Sequence, residues 1–222
     1  MCLNGKEKMK QKTNNNSSNS SSPPMEGLGE AIIQVENLTK QFGSFTAVKG
    51  ITFDVYKGEI FGFLGANGAG KTTAMKMLIG ISNPTAGKAH VAGLDVATQA
   101  DLVKKSIGYM SQKFSLYDDL TIKENITFFG GIYGLSRKLI KEKTQQLITK
   151  LEMQDVANNL VGSLPLGWKQ KLSFSVALLH EPKIVFLDEP TGGVDPITRR
   201  QFWEMIYTQA YKGTTIFVTT HY

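Results

Sequence analysis

One run of residues, Gly65-Ala66-Asn67-Gly68-Ala69-Gly70-Lys71-Thr72, constrains this chain more than any other segment. It fits G-x-x-x-x-G-K-[ST] and stands between an apolar stretch, Glu59-Ile60-Phe61-Gly62-Phe63-Leu64, and helix formers at 72–79 closed by Gly80. A strand that turns through glycines into a helix start makes an anion site. The glycines let the backbone wrap phosphate oxygens, with successive N–H groups turned inward. The positive end of the helix dipole, near Gly70, faces the same point. In that arrangement Lys71 neutralises β- and γ-phosphates, Thr72 ligates Mg2+ and Thr73 caps the α-phosphate. The bare pattern would arise by accident in about 1 chain in 100 of this length, and the strand–helix context makes it rarer.

A second anchor is Ile184-Val185-Phe186-Leu187-Asp188-Glu189, an apolar strand that ends in two acids. Alone, it reads as a strand followed by a solvated acidic turn. Coupled to a phosphate loop, it delivers Asp188 beside the Mg2+ at the carboxyl edge of a sheet. Glu189, one residue on, is placed to polarise an attacking water as general base.

The rest of the chain supplies a frame for these anchors. Short apolar segments at 51–55, 59–64, 89–92, 107–110, 183–187 and 214–218 read as strands. Helical patterns at 72–79, 121–133, 136–153, 169–179 and 196–211 fall between them. In the segment 136–153, Leu139, Ile140, Leu147, Ile148 and Leu151 share one face. The alternation predicts an α/β fold: a parallel sheet covered on both faces, with a helical insertion at about 115–181. Residues 1–29 read as an Asn/Ser-rich flexible tail, because the 13–22 stretch is one Thr, four Asn and five Ser and Pro23-Pro24 follow. The ordered domain is expected over 30–222.

Composition excludes several classes. With 222 residues, 41% hydrophobic and 20% charged, the chain is long enough for a core and is neither collagen-like nor disordered overall. A single cysteine, Cys2, excludes an intrachain disulfide and fits a reducing cytosol. The net charge of +6 suits an anionic partner without choosing nucleotide, nucleic acid or membrane surface. No apolar run reaches the roughly 18–20 residues of a membrane helix. Lys6, Lys8, Lys10 and Lys12 lead into polar residues rather than a signal peptide's apolar stretch.

From about Ala31 onward these motifs, in this order, resemble the ATP-binding subunit of an ABC transporter, and more narrowly that of drug- and polysaccharide-type exporters whose membrane half is a separate protein. The resemblance implies a P-loop NTPase: a RecA-like parallel core, an antiparallel β part and an inserted α-helical subdomain. It implies further site residues. Phe42, in Lys40-Gln41-Phe42-Gly43, matches the aromatic that stacks on adenine, with Val48 beside it. Gln112 matches the glutamine that reaches Mg2+ and the attacking water. Asp195 matches an aspartate that contacts the opposite subunit, and His221 the histidine that holds the γ-phosphate.

Two departures stand out. The family signature Leu-Ser-Gly-Gly-Gln is replaced by Leu164-Pro165-Leu166-Gly167-Trp168, so the serine hydroxyl is missing, and Gly167 with the following helix start is left to face an anion. Family members also continue beyond the histidine, whereas this chain stops at Tyr222, which reads as a fragment or as incomplete C-terminal packing. The resemblance implies a cytoplasmic ATPase, peripheral on the membrane, that pairs with a second ATP-binding subunit and a polytopic permease, with ATP and Mg2+ as cofactors and no nucleic acid. The rival is a non-transport ABC ATPase acting on ribosomes or DNA, which usually carries two ATPase units or a long coiled coil in one chain. A degenerate module that binds ATP only to regulate is opposed by Glu189 and His221, and a GTPase by the lack of any Asn-Lys-x-Asp.

Overall fold

The computed structural model describes residues 29–112 and 116–220. The tail expected at 1–29, apart from Gly29, and the residue His221 lie outside the described residues. Two four-stranded sheets form the body. One is antiparallel, ordered β2-β1-β4-β5, with β1 Ala31–Phe42, β2 Phe45–Tyr56, β4 Ala86–Val91 and β5 Leu94–Asp95. The other is parallel throughout, ordered β3-β8-β7-β6, with β3 Ile60–Leu64, β6 Ile107–Met110, β7 Ile184–Asp188 and β8 Thr215–Thr220. The α/β fold with parallel and antiparallel parts is therefore as expected.

Strand alternation decides what each face meets. In β7, Ile184 and Phe186 turn to a core shared with the antiparallel sheet and with α1 (Lys71–Leu78). Val185 and Leu187 turn to a second core with Phe174, Phe202 and Ile206, carried by α5 (Leu166–Ala177) and α6 (Pro196–Tyr211). All five residues of β7 are buried, which is why this strand reads as a continuous apolar run. Phenylalanines join the two sheets: Phe53 of β2 lies 5.1 Å from Phe61 and 5.6 Å from Phe63, and Phe217 of β8 lies 5.3 Å from Phe61 and 5.2 Å from Phe186. Offset aromatic contacts of this kind add to the area they bury.

Between β6 and β7, α3 (Ile122–Ile132), α4 (Arg137–Lys150) and α5 enclose a core of their own around Ile122, Ile126, Ile148, Val161 and Leu172. Thr121 and Glu124 form a reciprocal capping box at the start of α3, and Ser136 caps α4. Two features differ from the sequence reading. Helix α2 (Ala100–Ser106) went unpredicted because it buries only Val103 and shows no apolar stripe. Helix α5 begins at Leu166 rather than at Lys169, since Pro165 takes the N-cap position, where its missing N–H is harmless.

Asp195 accepts backbone N–H bonds from Ile197 and Thr198, both at 3.0 Å, and so caps α6 within its own chain. Hydrogen bonds from Thr198, side chain first and backbone second, hold its carboxyl below the ordinary aspartate value. A depressed carboxyl stabilises above its unfolded value and loses that contribution as pH falls through its folded value. Asp195→Ala is therefore expected to lower the melting temperature by about 2–4 °C near neutral pH. The gap from the parent should narrow progressively as pH falls below the ordinary aspartate value, which a pair of melting curves checks.

Candidate active site

The loop after β3 turns back on itself before α1. Gly70 takes φ 84, and a Cβ there would stand 2.3 Å from the Ala47 carbonyl oxygen, so only glycine satisfies both the backbone angle and the close approach of β2. Gly68 also has positive φ, at 78. Around this loop opens a cleft of about 450 Å³ lined by Phe45, Ala47, Asn67, Gly68, Gly70, Lys71, Thr72, Thr73, Gln112 and Glu189. The structure thus brings together the loop with its helix start, Gln112 and Glu189 from three separate stretches of sequence.

Lys71 is buried, and its ammonium donates to the carbonyls of Gly65 at 2.7 Å and Ala66 at 3.0 Å. It also stands 3.7 Å from Glu189 Oε1, while Gln112 Nε2 donates to the other oxygen, Oε2, at 3.1 Å. Glu189 is held at φ 47, in the left-handed region. A glutamate there costs about 1–3 kcal/mol unless its surroundings enforce it, and such strain gathers at functional sites. Directly behind, Thr72 Oγ1 donates to Asp188 Oδ1 at 3.4 Å. Asp188 is only 2% exposed. Burial, and then the Asp188 charge, push the Tyr109 hydroxyl of β6 up to about 12, so it stays a neutral phenol.

These groups fit a nucleoside triphosphate with its divalent ion. The loop gives converging N–H donors, Lys71 one buried cation, and Thr72 with Asp188 two hard oxygen donors side by side. Among the described residues no group of three or more His, Cys, Asp or Glu could hold a metal ion. An ion here would therefore draw most of its remaining ligands from phosphate oxygens and water, as Mg2+ commonly does.

Other expected residues are placed less directly. Phe42 ends β1, 55% exposed, with the Lys40 ammonium 5.2 Å from its ring centre, and it does not line the cleft. Its hairpin partner Phe45, still more exposed and missed in the sequence, does line it. Val48 is buried beside the loop in a neighbouring hollow that it shares with Ala69. Gly167 lies in the first turn of α5, where a Cβ would meet Thr198 Cγ2 at 2.6 Å, so its lack of a side chain lets α5 approach α6. Asp195 and Gly167 share the junction of these two helix starts, apart from the residues that line the cleft. Thr219, also missed, touches both acids. Its hydroxyl bonds Asp188 Oδ1 and the Glu189 N–H, and its one signal in the sequence is its place two residues before His221.

Residues 48–192 match the family model described as ABC transporter. A probable multidrug ABC transporter ATP-binding protein, YbhF, of Escherichia coli (strain K12) is 47% identical over 194 residues, covering 87% of this chain and 34% of that protein. The Nod factor export ATP-binding protein I of Rhizobium sp. (strain N33) is 38% identical over 195 residues, covering 88% of this chain and 64% of that one. The chain thus spans about a third of the first relative's length and just under two thirds of the second's. Among solved structures, cbiO1 from Clostridium perfringens, described as part of the ABC transporter complex cbiONQ, superposes with a TM-score of 0.76 at 25% identity, covering 86% of this chain and 79% of that one.

Proposed function

Because the chain belongs to the ABC transporter family, we propose that it binds and hydrolyses Mg2+-ATP as the energy-supplying subunit of an exporter. The observation that carries this reading is the Glu189 carboxylate, stretched between Lys71 and Gln112 at the mouth of the phosphate loop. Lys71 turns its ammonium from the loop carbonyls to phosphate oxygens. Thr72 and Asp188 hold the ion, with Gln112 as a further ligand. Mg2+, when bound, neutralises charge on the transferring phosphoryl group. Glu189 accepts a proton from the attacking water, and Gln112 and His221 orient the reactants. The adenine end falls to the β1–β2 hairpin, with Phe42 and Val48 as the sequence suggests and Phe45 as the aromatic that lines the cleft.

The relatives' names speak of multidrug transport and Nod factor export, and they favour an exporter over an ATPase acting on ribosomes or DNA. Among the described residues no helix is long and apolar enough to cross a membrane. The reading pairs this ATP-binding domain with a polytopic membrane part. It also places two ATP-binding chains face to face, with Gly167 and Asp195 of one opposite the phosphate loop of the other. Capture of the tagged chain from solubilised cells tests the class. A polytopic membrane protein is expected to come with it, and ribosomes or DNA would overturn the assignment.

The unusual signature has its own consequence. With Pro165 in place of a serine, each site of the pair lacks one hydroxyl bond to a charged phosphate, worth roughly 1.5–3 kcal/mol. Isolated chains should then pair weakly under ATP. Pro165→Ser with Leu166→Gly, placed in a Glu189→Gln background, is expected to strengthen ATP-dependent pairing in analytical ultracentrifugation. Against this works the loss of Leu166, whose Cδ2 reaches within 3.6 Å of the place a Cβ on Gly193 would take. Unchanged or weaker pairing would overturn this account of the signature.

A further inference from the structure

We propose that Thr219 is a positioning residue that sets Asp188 and Glu189 at once, an inference that rests on reading the cleft as a Mg2+-ATP site. Strands β7 and β8 run parallel with Asp188 opposite Thr219. Thr219 is completely buried. Its hydroxyl donates to Asp188 Oδ1 at 2.6 Å and accepts the Glu189 N–H at 3.0 Å. The same N–H also reaches the Thr219 carbonyl, at 3.2 Å. One hydroxyl therefore uses its donor and its acceptor on two successive acids.

Each bond fixes something different. Thr219 and Thr72 both give their hydroxyl hydrogens to Oδ1 of Asp188. The carboxylate is thereby pinned about its terminal torsion, with Oδ2 engaged by neither hydroxyl. The bond to the Glu189 N–H anchors that residue in the left-handed backbone conformation, φ 47, which an L side chain keeps only when its surroundings enforce it. That conformation carries the Glu189 side chain to Lys71 and Gln112. Packing alone does not call for a hydroxyl here. β8 carries Ile216, Phe217 and Val218 between Thr215 and Thr219, and valine matches threonine in shape and in preference for strands. The buried hydroxyl is accounted for by what it bonds. It acts on the metal-holding acid through donation and on the base through acceptance.

The test compares Thr219→Val, which keeps the shape, with Thr219→Ser, which keeps the hydroxyl. Calorimetric titration of ATP with and without Mg2+, and electron paramagnetic resonance of Mn2+ added with ATP, read the ion site independently of turnover. In Thr219→Val, metal-free ATP affinity is expected to stay near the parent's, while the gain that Mg2+ brings falls by about 10-fold or more and kcat drops by about 10–100-fold. Thr219→Ser should restore both. If Thr219→Val fails to fold, Thr219→Ala carries the same expectation against Thr219→Ser. A hydroxyl-free variant that keeps both the Mg2+ gain and kcat overturns the positioning role. So does a Thr219→Ser variant as impaired as the hydroxyl-free one. A parent chain that binds no Mg2+-ATP overturns the underlying reading, and the positioning role with it.

Discussion

Replacing Lys71 with Ala should abolish measurable ATP binding while leaving the fold intact. Lys71 is the only cationic side chain among the residues that line the cleft, and it is buried. Charge-assisted bonds to phosphate are roughly twice as strong as neutral ones, and a buried site screens them little. The loss has a second part. Glu189, 3.7 Å from the ammonium in the parent, loses that cation at the place where a triphosphate must sit. Together these effects should lower affinity by roughly 100-fold or more, since a single bond to a charged group is worth about 1.5–3 kcal/mol. Calorimetry with Mg2+-ATP, beside a circular dichroism spectrum unchanged from the parent, checks this. A Lys71→Ala chain that binds ATP as the parent does would remove the phosphate loop from the account.

Glu189→Gln should separate binding from chemistry. The amide keeps the size of the side chain and can still meet Gln112, but it accepts no proton. Hydrolysis is expected to slow by roughly 10²–10⁴, the range for loss of a general base, with ATP still bound. Removing one negative charge from beside the phosphates should even favour retention of ATP. Size-exclusion chromatography with Mg2+-ATP should then show more paired chain than the parent shows. Turnover at the parental rate would move the base elsewhere, with His221 the next candidate.

Much of this site is legible in the sequence because its parts are local. The phosphate loop is contiguous, and its glycines, lysine and threonine each answer a requirement of an anion nest. Asp188 and Glu189 announce themselves because an apolar strand that ends in two acids gains a use once a phosphate loop stands in the same chain. The elements that were missed are those decided by tertiary contacts. Pro165 at the N-cap marks the start of α5 locally, but nothing in Pro-Leu-Gly-Trp reports α6, against which Gly167 packs. Thr219 lies 31 residues from Asp188, and only the parallel register of β7 and β8 brings them together. Phe45 is equally opaque: the hairpin turn between β1 and β2 sets whether it or Phe42 overhangs the cleft, and both are exposed aromatics in sequence and in structure.

The central claim is that this cleft hydrolyses ATP between two chains. Specific phosphate-release activity from Mg2+-ATP, measured across a series of chain concentrations, tests it most directly. Activity per chain should rise with concentration as pairs form, and Glu189→Gln should flatten the curve near zero. Phosphate release at a constant rate per chain, or ATP bound with no release at any concentration, would contradict it.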